Sequence, residues 1–338
     1  MRRWIKIAIW TLLLAAGVIV CIVRWQAWFG MPAEPVWRGD TLTYTFPTFG
    51  QDSVPGFVAT ADGWQDTLSP QSLDILVLGD IHNRLQQADY DSLAARVPQA
   101  DAIAQAGDWM DRGQEYYHQL LLREWVPSGL SHLPIINCPG NHEYSKGLHK
   151  ELFPNWNDCF TQPAVEIAAP GIFYHVDFPQ LRFIVMDTNP IDLLVYRTRV
   201  LTWLRGLMNT AGNRYIVVMM HHPVIPAGKG RFNPTIYTAF RYALGQTDLV
   251  IAGHDHNYSR RMPFVVVNAA GVPKPQRDPV NFEFITADPV YSVITIQNPQ
   301  SPITNHQSPI SNPQSPLLFR TYRMSDGVLI DSVYVEHH

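Results

Sequence analysis

Cysteine is scarce in this sequence: Cys21, Cys138 and Cys159 are the only three in 338 residues. They form no close-spaced pair, which excludes a disulfide framework and a cysteine-based zinc site. A formal net charge of −4 leaves no broad basic surface, so no nucleic-acid partner is expected. Only one long uncharged apolar run occurs, at the N-terminus. What the chain does have is a core-forming 46% of hydrophobic residues and thirteen histidines. Any metal it holds is therefore held by imidazole and oxygen. The length suits one large α/β domain with additions.

The apolar run spans residues 7–23, preceded by Arg2, Arg3 and Lys6 and closed by Arg24. Its length is at the short end of what spans a hydrocarbon core of ~30 Å. It exceeds a signal-peptide core, and no small-x-small cleavage site follows it. Residues 1–30 are therefore expected to be an uncleaved signal-anchor, a transmembrane helix with a cytoplasmic N-terminus and an extracytoplasmic body. Trp25 and Trp28 suit the far interface. The alternative is a cleaved signal peptide and a secreted body. Residues 31–70 are rich in Pro, Gly and Thr and read as linker and entry segment.

The organised domain is expected over 71–338. Short apolar runs at 75–78, 102–106, 133–138, 173–176, 181–186, 216–220, 249–252, 264–267 and 290–296 read as strands. Helical spacing appears around Tyr117, Leu121 and Trp125, around Val200, Leu204 and Leu207, and over 235–244. Buried strands alternating with helices predict a parallel or mixed sheet covered on both faces. Asp326-Gly327 marks a closing hairpin. Residues 298–316 repeat the unit NPQSPIT, NHQSPIS, NPQSP. Their prolines prevent helix and ladder pairing, and the stretch reads as a solvated loop insertion.

Five of the strand-like runs end in residues that can bind metal. The first ends in Asp80-x-His82, the second in Asp108, the third in Asn141-His142, the fourth in His221 and the fifth in His254-x-His256. In α/β sheets, ligand groups collect where the carboxyl ends of strands meet loops. Seven of these eight residues can be divided between two metal ions, with one carboxylate bridging and His142 left free. Two divalent ions ~3.5–4 Å apart clamp the attacking and leaving oxygens of a displacement at phosphorus, and they acidify a bound water to hydroxide near neutral pH. Any one of these elements occurs by chance. All five in this order, each after a strand-like run, do not.

The blocks GDIH, GDWMDRG, GNHE, VMMH and GHDH resemble the signature of the calcineurin-like metallophosphoesterase superfamily, over about residues 73–261. The resemblance implies a four-layer αββα sandwich, with two mixed β-sheets flanked by helices. It also implies a ligand set: Asp80, His82, Asp108 and His256 for one metal, and Asp108 (bridging), Asn141, His221 and His254 for the other. His142 would protonate the leaving oxygen or stabilise charge beside it. The second and third blocks are similar to those of protein Ser/Thr phosphatases, which implies that Asp111 orients His142 and that Arg112 holds phosphate oxygens. Purple acid phosphatases are similar in the fifth block but carry Gly at the position of His82 and a Tyr ligand at that of Asp111. Their tyrosinate colour is therefore not expected here.

The function so implied is hydrolysis of phosphate monoesters or diesters by a metal-bound hydroxide, on a membrane-tethered domain. The metals would be two divalent ions drawn from Mn, Fe, Zn and Co. The alternatives are a metal-binding scaffold of the same fold without turnover, and a nuclease of the same superfamily, against which the acidic balance argues. His222 reads as structural; Lys229 and Arg231, in a Gly-rich loop after the fourth block, could contact substrate, but a solvated loop is the favoured reading.

Overall fold

The computed structural model describes residues 57–60, 63–66, 72–111, 123–145, 151–153, 156, 171–189, 193–228, 231–276, 281–297 and 316–337. The expected signal-anchor, Arg112, the helix around Tyr117 and Leu121, and nearly all of the 298–316 repeat lie outside these residues. Among the described residues no helix is long and apolar enough to cross a membrane.

Two mixed sheets form the body. The first has six strands: β3 (Ser72–Leu78), β4 (Ala102–Gln105) and β5 (Ile135–Asn137) run parallel, and β13 (Val290–Gln297), β14 (Leu317–Arg323) and β15 (Leu329–Val335) add antiparallel beside β3. The second has nine strands in the order β1-β2-β6-β7-β8-β9-β11-β10-β12. Its centre is parallel: β7 (Leu181–Met186), β8 (Tyr215–Met219), β9 (Leu249–Ala252) and β11 (Phe264–Val266). The flanks are β6 (Phe173–Asp177) with the hairpin β1 (Phe57–Thr60) and β2 (Gly63–Asp66) on one side, and β10 (Tyr258–Arg261) and β12 (Phe284–Thr286) on the other.

The period-2 geometry of a strand sends alternate side chains to opposite faces, and both faces are apolar here. Ile75, Val77 and Ala104 of the six-stranded sheet meet Phe183, Val217 and Ile251 of the nine-stranded sheet in one core. On the far face of the first sheet, Leu76, Leu78 and Ile103 pack under Tyr90 and Leu93 of α1 (Gln87–Arg96). On the far face of the second, Ile184, Ile216 and Val218 pack under Val200 and Leu204 of α2 (Leu193–Asn209) and Ile236 and Phe240 of α3 (Pro234–Leu244). α3 begins where Asn233 accepts the N–H groups of Thr235 and Ile236, with Pro234 in the first turn.

The sheet begins earlier than expected. β1 and β2 lie inside the 31–70 stretch read as linker, and β2 pairs with β6 through Trp64↔Val176 and Gln65↔Asp177. β10, β12 and α1 are also additions to the sequence reading. The carboxyl ends of β3, β4, β5, β8 and β9 all open toward one cavity, where the five blocks meet.

Candidate metal centre

The chain turns sharply as it leaves β3, β4 and β9, and candidate ligands are themselves among the turning residues. Asp80, His82, Asp108, His254 and His256 all have φ between 52° and 74°, a left-handed conformation that side chains other than glycine seldom adopt. Strain of this kind persists only where surrounding bonds hold it, and it gathers at functional sites. Those bonds are present: Asp80 N–H donates to Gly107 O at 3.0 Å, His82 N–H to Asp108 O at 3.0 Å, and His254 N–H to Asp80 Oδ1 at 3.0 Å. Two glycines permit the crossing. A Cβ on Gly140 would lie 2.1 Å from Asp108 Oδ1, and one on Gly107, at φ +89°, would lie 2.5 Å from His221 Nδ1.

The side chains converge in two groups. In the first, His82 Nε2 lies 3.0 Å from His256 Nε2, 3.6 Å from Asp108 Oδ2 and 3.9 Å from Asp80 Oδ1. All four residues are buried, with ligand atoms within 4.8 Å of one another. In the second, Asn141 Oδ1 lies 3.1 Å from His221 Nε2 and 2.7 Å from His254 Nδ1. Asp108 Oδ2 is 3.3 Å from His221 Nε2, so this one oxygen belongs to both groups.

The chemistry of the donors fits a cation. His221 Nδ1–H donates to Ala106 O at 2.9 Å and His256 Nδ1–H to Val272 O at 2.8 Å, which leaves each Nε2 lone pair aimed inward. Lone pairs of imidazole, amide and carboxylate thus face one another with few protons between them. Asp80 Oδ2 is buried with no hydrogen-bond partner. Burial first, and then the neighbouring Asp108, push the Asp80 carboxyl up to about 7 against the pull of His221. Asp108 is held well below the usual carboxylate range: its burial opposes this, but His221, His142 and His82 outweigh it. Buried acceptors crowded in this way are relieved by a divalent ion.

His142 borders both groups, its Nε2 4.0 Å from Asp108 Oδ2 and its ring 4.7 Å from that of His82. Its backbone N–H donates to Asp108 Oδ1 at 2.9 Å, and its side chain remains 33% exposed, open to the cavity. Burial is the main effect holding the imidazole below its ordinary value, against the pull of Asp108. Its Nδ1–H donates to the backbone carbonyl of Asp111. The sequence reading gave that orienting role to the Asp111 carboxylate. In the structure the carboxylate is nearer His82, with Oδ1 3.4 Å from His82 Nδ1 and 3.8 Å from His142 Nδ1. A carbonyl suffices because it, too, is an acceptor that fixes which ring nitrogen carries the proton.

Some neighbours escaped the sequence reading. Glu143 is fully buried and accepts N–H groups of Asp108, Met110 and Gly140, joining the second block to the third. Its place in GNHE was the available signal. Arg231 does not lie in a solvated loop: its Nη1 is 3.1 Å from His254 Nε2, and it lines the cavity. His222, read as structural, has its ring 4.5 Å from that of His254 and its Nδ1 2.8 Å from Thr188 Oγ1. The cavity has a volume of about 320 Å³, and Arg84 and Lys274 also line it. Nothing in the local sequence marked those two.

Over 165 residues the chain is 22% identical to a glycerophosphodiester phosphodiesterase, GpdQ, of Enterobacter lignolyticus (strain SCF1). That match takes in 46% of this chain and 56% of the relative, so the chain spans about half the length of the curated relative it matches. Among solved structures, the fold is similar to the purple acid phosphatase PPD1 of yellow lupin (Lupinus luteus), with a TM-score of 0.57 and 14% identity over 81% of this chain and 56% of that one. It is also similar to a dimetal phosphatase of Danio rerio, with a TM-score of 0.50 and 11% identity over 79% of this chain and 99% of that one. The family model for calcineurin-like phosphoesterases matches residues 73–258, more than half of the chain and every strand end that contributes to the centre. The five converging blocks and this match together place the chain in the calcineurin-like phosphoesterase family.

Proposed function

We propose that this protein hydrolyses phosphate esters with two divalent metal ions, on a body tethered to a membrane by residues 1–30. One observation carries the hydrolase reading: acceptor groups from five strand ends meet around Asp108 Oδ2, at the floor of a cavity that His142 faces. Asp80, His82, Asp108 and His256 would hold one ion, and Asp108, Asn141, His221 and His254 the other. Such ions withdraw charge from phosphoryl oxygens and make a water acidic enough to attack near neutral pH.

The chain's own residues supply the rest. Hydrolysis forms a bond from water oxygen to phosphorus as the ester P–O bond breaks, and the leaving oxygen takes a proton. His142 is assigned as the donor in this reading: with Nδ1–H committed to Asp111 O, the transferable proton is the one that the imidazolium form carries on Nε2. Asp108 Oδ1 anchors the His142 backbone, so the acid and the metal cluster share one frame. Arg112 follows Asp111 directly and is assigned to a phosphate oxygen by its place in the second block. Both ester classes fit: the bacterial relative is named as a diesterase, and two structural neighbours as phosphatases.

The test is a full-chain preparation loaded in turn with Mn, Fe, Zn and Co and assayed on p-nitrophenyl phosphate and bis-p-nitrophenyl phosphate. Release of nitrophenol from at least one supports the reading. Two bound ions per chain with no turnover of either would instead favour the metal-binding scaffold. The tether rests on the apolar run at residues 7–23 and its flanking charges. Membrane fractionation with carbonate washing checks it, and recovery in the wash would count against it.

A further inference from the structure

Three cations from three loops stand around the mouth of the cavity: Arg84 after β3, Arg231 after β8 and Lys274 after β11. Among the described residues none of the three forms an ion pair with a carboxylate, whereas Arg123, Arg182, Arg214, Arg260 and Arg323 each do. Arg231 and Lys274 are also held in place. Asp255, between the two fifth-block histidines and fully buried, accepts the Gly228 N–H at 2.9 Å. Arg231 N–H donates to Gly228 O at 3.3 Å, and Gly228 pairs with Gln276, two residues beyond Lys274. The fifth block thus ties both cationic loops to the metal centre.

Among the described residues, the one polar contact of the Arg231 guanidinium is His254 Nε2. If His254 Nδ1 binds a cation, Nε2 must carry the ring proton, and it can no longer accept from Arg231. The guanidinium then needs another acceptor, and the cavity is where it lies. Charge points the same way. Asp80 and Asp108 offset half the charge of two divalent ions, a phosphoryl dianion covers the other half, and Asp111 faces Arg84 as well as His82 and His142. With Asp111 set against Arg84, the rim keeps a net positive charge beyond the reacting group, and it faces whatever the leaving group carries. A cavity of about 320 Å³ admits only a small one.

We propose that Arg84, Arg231 and Lys274 form an anion subsite for the leaving group, so that preferred substrates are phosphate esters of small alcohols bearing their own negative charge. This deepens the phosphoesterase reading and rests on it. The reaction is the same: water oxygen bonds to phosphorus, the ester P–O bond breaks, and the alcohol leaves protonated with its anionic group unchanged.

The matched probes are 2-phosphoglycerate and glycerol 2-phosphate, which differ only by a carboxylate in place of a hydroxymethyl group. The metal-loaded full chain should favour the first in kcat/KM by about tenfold or more, since charged contacts at a partly exposed rim are each worth a few-fold. In the Arg84→Gln, Arg231→Gln, Lys274→Gln triple variant the ratio should fall to near one. Single variants, should the triple fail to fold, should each lower it about two- to threefold. Calorimetry on the metal-loaded His142→Ala chain gives the same ratio as binding, independent of turnover. Discrimination in binding without hydrolysis by the unmutated chain would keep the subsite and remove the hydrolase reading. Hydrolysis with no preference, or with a preference that the variants leave unchanged, as chelation of metal by the carboxylate would give, overturns the subsite.

Discussion

Glu143, itself fully buried, accepts the backbone N–H of Asp108 at 3.0 Å, directly beneath the cavity that Asp108 lines. The same carboxylate takes the N–H groups of Met110 and Gly140, so two oxygens serve three donors on two loops. A glutamine at this position has one oxygen and a donor amide, which would face an N–H. Glu143→Gln is expected to destabilise the fold by about 1–3 kcal/mol for each donor left unpaired. It should also weaken metal binding, because Asp108 and Asn141 are then less well placed. Chemical denaturation and metal titration of the variant check both; unchanged stability would refute the bracing role.

Among the described residues, Asp108 is the one carboxylate with an oxygen within 4 Å of imidazoles from both groups of ligands. Asp108→Ala should therefore release both ions, whereas Asp80→Ala should weaken chiefly one. Metal content per chain by elemental analysis distinguishes the cases. Two ions retained at full occupancy in Asp108→Ala would contradict the shared position.

His142→Ala should keep the metals and lose turnover. No metal-facing contact of either group depends on the ring, and removal of a general acid costs about 10²–10⁴ in rate. The loss should be larger on alkyl esters, whose leaving oxygens need the proton, than on p-nitrophenyl phosphate, whose leaving group does not. Equal losses on both would argue for charge stabilisation instead.

Cys138 is a buried free thiol at the end of β5. Burial first, and then Asp187, push it well above its ordinary value of 9.0. The thiolate is therefore scarce in the folded protein up to and beyond pH 9, and the stability linked to the buried thiol is present below that pH and lost above it. Iodoacetamide at pH 8 should label Cys138 in the native protein ~10²-fold or more slowly than in the unfolded chain. Site-resolved mass spectrometry checks this. Similar rates would show that the core opens there.

The two sheets are joined away from the site by Asp331 of β15, which accepts Tyr258 Oη–H at 2.7 Å and two N–H groups of Arg260 at 2.7 and 3.0 Å. Asp331→Ala leaves Arg260 paired only with the exposed Glu283 and takes an acceptor from Tyr258, and should cost about 1–3 kcal/mol, with metal content unchanged. A melt and a metal assay on one sample separate the effects.

Much of the architecture was legible from short runs of Ile, Val and Leu. The strands at 181–186 and 249–252 have the expected bounds, because a strand buried on both faces must be apolar at nearly every position. β10 and β12 were not legible. Four residues containing Arg260 and Arg261, and three residues Phe284–Thr286, are strands only because neighbours supply the ladder. The ligand-type residues were legible because each directly follows an apolar run. The placement of Arg231 was not, since it follows from the Asp255–Gly228 hydrogen bond and the Gly228–Gln276 bridge, between segments far apart in the chain.

By itself, the order of residues determined which strand ends bear Asp, Asn and His, and therefore the kind of atoms that line the centre. That is local information, set by residue type and by the two-residue period of a strand. Only the tertiary structure decided that Asp108 Oδ2 sits between His82 and His221, that a carbonyl rather than a carboxylate fixes the His142 ring, and that three cations ring the cavity. Those relations depend on how two sheets cross and where five loops turn, and distance in space between residues over a hundred positions apart is settled by packing.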